Sequence, residues 1–100
     1  MLRMTVVETT EQTTTLQLEG RIVEGWTQEL RRACIELLAL TPALVLDVEM
    51  VTFIDETGIE MLRHLKRNHV HIVGCSMFVS ELLERTAKHR DTGFLSTYYA

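Results

Sequence analysis

The chain is poor in the residues that staple or break a fold, with one proline, one tryptophan and two cysteines in 100 residues. Two cysteines cannot build the disulfide framework of a small secreted domain. Cys34 and Cys75 each stand in apolar company, which predicts buried free thiols. Long hydrophobic runs are missing as well. No segment approaches the roughly 20 apolar residues of a membrane span, and the opening MLRMTVVETTEQ holds no apolar stretch of signal-peptide length, so the expected location is the cytoplasm with no membrane insertion. Positive charge is not in excess: 10 Lys and Arg stand against 14 Asp and Glu, a net charge of −4. A general nucleic-acid binder needs a basic face, and nucleic acid is therefore not an expected partner. The sequence has no G-x-x-x-x-G-K-[ST] phosphate loop, no H-E-x-x-H and no glycine-flanked nucleophilic serine, and we expect no enzyme and no cofactor. Repeats, linkers and low-complexity tracts are absent too.

What remains is 46% hydrophobic and 24% charged residues, the make-up of one domain over residues 1–100 that buries about two thirds of its unfolded surface. Thr5–Glu8 and Thr13–Glu19 are rich in Thr and Val, with alternating Leu16 and Leu18, and predict an antiparallel hairpin across polar Thr9–Gln12, its second strand closed by Gly20. Trp26, Leu30, Ala33, Cys34, Leu37 and Leu38 recur at helical spacing, placing an amphipathic helix within Val23–Leu40, before Thr41-Pro42, with Trp26 in the core. Ala43–Val48 is a near-continuous apolar run, the pattern of a strand buried on both faces, interrupted by Asp47. Val70–Val73 predicts a short strand, Ser76 an N-cap, and Val79, Leu82, Leu83 and Thr86 a further helix. Met77 and Phe78 add apolar surface beyond one helix face, a lead to a second contact surface. Asp91–Gly93 signals a turn, and Phe94, Leu95, Tyr98 and Tyr99 leave a tail that either adds an edge strand or docks. The fold class that follows is α/β: a small mixed sheet of about four to five strands, an N-terminal antiparallel hairpin, and parallel strands joined by helical crossovers.

Val51–Leu65, VTFIDETGIEMLRHL, organises the rest. Val51, Phe53 and Ile54 are apolar and fit a buried strand end. Asp55-Glu56-Thr57-Gly58 then supplies three oxygen-bearing side chains and a glycine, a composition suited to a change of direction. Thr57 precedes Glu60 by three residues, the capping-box spacing, which predicts Thr57 as the N-cap. Ile59, Leu62 and Leu65 form one apolar stripe, and Arg63, Lys66 and Arg67 a solvated basic face in the sense the helix dipole favours. In a parallel sheet the functional crevice lies beyond the carboxyl ends of the strands, where this turn emerges. His64, His69 and His71, near Cys75, lack metal-ligand spacing, and no metal is expected. For Asp47 and Asp55 the simplest role is an oxygen that binds loop N–H groups and shapes the turn.

The run LVLDVEMVTFIDETGIEML resembles the signature of STAS domains, the family of bacterial anti-sigma factor antagonists. G-R-I before the first helix, I-V-G-C-S before the last and T-G-F near the end match the family's outlying motifs. The resemblance implies a STAS-like fold and partner switching in transcription regulation: the unphosphorylated domain binds an anti-sigma factor or serine kinase, and phosphorylation of a turn hydroxyl breaks the complex. It puts Thr57 at the phospho-acceptor position, Asp47 and Asp55 at the accompanying carboxylates, and Glu56, Gly58, Ile59 and Glu60 in the recognition turn. Thr replaces the usual Ser, and Glu56 replaces the Ser usually beside it. Two further roles fit the family: a non-phosphorylated subunit bound constitutively to the ATPase of an ABC-type lipid transport complex or to a stress-signalling assembly, and a nucleotide-sensing domain.

Overall fold

The computed structural model describes residues 1–77 and 79–83. In chain order these form β1 (Leu2–Thr9), β2 (Thr13–Ile22), α1 (Glu24–Leu38), β3 (Ala43–Ile54), α2 (Glu56–Arg67) and β4 (His71–Val73). Residues 79–83 are helical, and their start is capped by Ser76, whose Oγ accepts from the Val79 N–H at 3.1 Å. The sheet order is β1-β2-β3-β4. The hairpin pair is antiparallel, and β3 runs parallel to both β2 and β4. The fold is thus the expected mixed sheet with helices between its parallel strands. The predicted Thr86 position, the Asp91–Gly93 turn and the Phe94–Tyr99 tail lie outside the described residues.

Period-two alternation decides which face of the sheet is covered. Leu2, Leu16, Leu18, Ile22, Leu44, Leu46, Val48 and Ile54, all even-numbered, form one buried cluster with Leu30 and Cys34 of α1 and Ile59, Leu62 and Leu65 of α2. Ala43, Val45 and Asp47, which alternate with them, are half-buried. The run at 43–48 is therefore buried on one face and only partly covered on the other, because both helices belong to a single cluster. Trp26 packs at the margin of this core rather than within it. Of the surplus apolar residues, Val79, Leu82 and Leu83 are buried and Met77 is 87% exposed. Cys34 is buried and Cys75 half-buried, both free, so one of the two expected buried thiols is only partly covered.

The strands run longer than their sequence patterns. β2 does not close at Gly20 but continues to Ile22, and β3 continues from Val48 to Ile54 as one strand. Two irregularities in the pairing make this possible: seven steps of β3, from Asp47 to Ile54, lie opposite five of β2, from Gln17 to Ile22. Gly20 carries φ +110, and a Cβ there would overlap the Met1 carbonyl oxygen. Only glycine lets β2 pass this close to the start of the chain. Phe53, expected to be buried, is 44% exposed. It pairs across the strands with Arg21, whose guanidinium lies over its ring at 4.9 Å. Arg21 shields a ring that the helices do not cover.

Candidate functional site

The site forms where β3 hands over to α2. The Asp55 N–H donates to the Ile22 carbonyl at 3.1 Å, a last bond between the ends of β2 and β3. Asp55 itself has extended backbone angles and is the N-cap of α2. Its Oδ1 accepts from the Gly58 N–H at 2.8 Å, and its carbonyl accepts from the Ile59 N–H at 2.9 Å. The predicted capping box of Thr57 and Glu60 does not form. α2 begins at Glu56, so Thr57 is its second residue and cannot cap it. An ionised carboxylate on the residue directly after the strand reaches the first-turn N–H groups, and it is a stronger acceptor than a hydroxyl.

The second carboxylate oxygen does something that no local pattern announces. Asp55 Oδ2 accepts from the Glu24 N–H at 3.0 Å, across 31 residues. Glu24 is the first residue of α1, and its N-cap is Val23, which has no side chain able to accept. Asp55 therefore serves the first turns of two helices. The clue in the sequence was negative: no Ser, Thr, Asp or Asn stands just before Glu24, so its orphan donors need an acceptor from elsewhere.

Gly58 closes the arrangement. A Cβ on it would come within 2.5 Å of the Ile22 carbonyl oxygen and within 2.9 Å of side-chain carbons of Ile54 and Ile22. The helix start is pressed against the strand ends with no space for a methyl group. Gly58 and Ile59 are buried, Glu56 is half-buried, and Thr57 and Glu60 are exposed. Of the residues expected in the recognition turn, Thr57 and Glu60 are thus the exposed ones. Gly58 and Ile59 set its shape from beneath.

Asp47 is not brought to this turn. It stands opposite Gln17 and five β2 steps back from Ile22, about 17 Å along the sheet. Its Oδ1 accepts from the Glu49 N–H at 3.0 Å. Gly74, at φ +75, approaches so closely that a Cβ would lie 2.6 Å from the same oxygen. Asp47 shapes the exit from β4, and only Asp55 accompanies Thr57.

At the other end of α2, His64 and Asn68 are neighbours, with Asn68 Nδ2 donating to the His64 carbonyl at 2.8 Å. His69 is in the left-handed region at φ 70, in the turn that leads to His71 and β4. Among the described residues no three His, Cys, Asp or Glu converge as a metal site, and no helix is long and apolar enough to cross a membrane. Burial pushes the Cys34 thiol up to about 11. Burial also raises Cys75, against the opposing effects of a hydrogen bond from Ser80 and the charge of Lys66.

Comparison with known proteins gives a consistent picture. The sequence model described as STAS domain matches residues 4–97. Among solved structures, the anti-sigma factor antagonist SpoIIAA in its unphosphorylated form superposes with a TM-score of 0.64. That similarity covers 91% of this chain and 99% of the other at 14% sequence identity, which makes it a likeness of fold. No curated protein sequence matches the chain.

Proposed function

The chain belongs to the STAS domain family, and on that premise we propose that it is a regulatory module that binds an anti-sigma factor or serine kinase and is released by phosphorylation of Thr57. The observation that carries this reading is the exposed Thr57, two residues past a carboxylate already committed to two helix starts. A phosphoryl group on Thr57 would bring about −1.5 to −2 charges to a turn that holds Asp55, Glu56 and Glu60. At about 6 Å and an effective dielectric near 20, each unit pair costs about 2.8 kcal/mol before screening, falling to about 1 kcal/mol at an exposed turn. The phosphate cannot take the Gly58 N–H without displacing Asp55 from it. A partner shaped to the neutral turn would lose about 1–3 kcal/mol, roughly 5- to 150-fold in affinity, with no refolding of the domain.

The test is a pull-down from host lysate with wild type, Thr57→Ala and Thr57→Glu as baits, with intact-mass measurement of the recovered protein. The reading expects phosphate on the wild type and loss of one kinase-like partner from the Glu variant alone. If all three baits recover the same partner and no phosphate appears, the domain is a constitutive subunit of a larger assembly. A rise in melting temperature with nucleotide would instead favour the nucleotide-sensing role.

A further inference from the structure

Away from this turn, residues from the C-terminal halves of α1 and α2 line a cleft of about 220 Å³. Buried Cys34 and Leu65 and the buried Val70 line it, with Ile35 (57% exposed) and Leu38 (37% exposed) at its mouth. Arg31, His64 and Asn68 supply its polar lining. Arg31 has no carboxylate partner among the described residues, and its own helix offers none: the positions three and four away are Thr27, Gln28, Cys34 and Ile35. An anion beside a helix C-terminus ordinarily meets unpaired carbonyls. Here those of His64, Leu65 and Lys66 are occupied by the N–H groups of Asn68, His69 and Val70, and the Asn68 amide adds a second bond to His64.

We propose that this cleft binds a short aliphatic carboxylate, its chain against Leu38, Leu65 and Val70 and its carboxylate on the Arg31 guanidinium. The volume selects the class. At roughly 30 Å³ for each non-hydrogen group, the share of one water, the cleft holds about seven groups, so hexanoate fills it once its carboxylate reaches out to Arg31. A nucleotide or a drug-sized ligand needs a larger pocket. The site is independent of the phosphorylation reading, since His64 stands seven residues beyond Thr57, about 10 Å along α2.

The experiment is a titration of the full chain with butanoate, hexanoate, octanoate and hexan-1-ol, followed by backbone amide NMR shifts. The expected result is saturable movement at Ile35, Leu38, Leu65 and Asn68. Affinity should rise about fourfold per methylene up to hexanoate and level off after it. Arg31→Gln, at an exposed position, should lower hexanoate affinity about tenfold and leave hexan-1-ol binding unchanged. Leu38→Trp should close the mouth to both ligands, with an unchanged far-UV spectrum as the check on folding. Absence of saturable shifts with hexanoate at tens of millimolar overturns the proposal. Equal binding of acid and alcohol, insensitive to Arg31→Gln, overturns it too, in favour of a cleft that receives an apolar side chain of a protein partner.

Discussion

α1 and α2 are held together at their starts by one kind of force and run toward their ends under another. At the starts, a single carboxylate makes directional bonds to both first turns, and Gly58 leaves no space against Ile22 and Ile54. Toward the ends, no such bond joins the two helices among the described residues, and both line the cleft beside Cys34. Directional bonds without spare volume fix the backbone on either side of Thr57, which under the proposed function would hold the turn in one shape for whatever recognises it. Non-directional packing tolerates vacant volume, which suits a small ligand.

The tight end should break most readily. Gly58→Val is expected to cost about 3 kcal/mol, because a backbone carbonyl must give way and not merely a side chain. In a domain of this size that lowers the melting temperature by roughly 12–24 °C, readable by calorimetry. Asp55→Ala should cost about 2 kcal/mol in urea unfolding, since two first-turn donors lose one acceptor. Its signature is faster hydrogen exchange at two amides far apart in sequence, Gly58 and Glu24.

The loose end should break through pH. The Cys34 thiol ionises near 9.0 in the unfolded chain and near 11 when folded. Deprotonation therefore favours unfolding: the stability is fully present below pH 9 and falls as pH rises toward 11, by about 2 kcal/mol. Cys34→Ala should remove that fall without touching the amides at the turn. The smallest effect sharpens the contrast. Thr57→Ala should change stability by no more than about 0.5 kcal/mol, where a capping threonine would cost about 1 kcal/mol. Parallel urea curves for Thr57→Ala and Asp55→Ala test which residue caps α2.

Much of this architecture was legible in the residues. The hairpin, both long helices and Ser76 as a cap follow from alternation, helical spacing and a local hydroxyl, and each lies within a few residues of its expected place. The turn was legible as a place and misread as a mechanism. T-x-x-E and D-x-x-G overlap in Asp55-Glu56-Thr57-Gly58-Ile59-Glu60, and spacing alone does not say where the strand stops. That was decided by pairing with Ile22, a residue 33 positions earlier than Asp55, and by two bulges that lengthen β3 relative to β2. The same long-range pairing hid the exposure of Phe53 behind Arg21 and kept Asp47 away from the turn. The cleft left no pattern at all, because it is a mismatch between two amphipathic faces that each look complete alone.

The bond from Glu24 to Asp55 also bears on the order in which the chain assembles. During synthesis α1 leaves the ribosome with Val23 before it and no acceptor for its first N–H groups. The acceptor is made 31 residues later, after β3 has been added. The first turn of α1 should therefore remain frayed until β3 pairs with β2, and the β3-to-α2 corner becomes the step that completes both helices together. A nascent chain arrested just before Asp55 should show rapid exchange at Glu24, and one arrested after α2 has emerged should not.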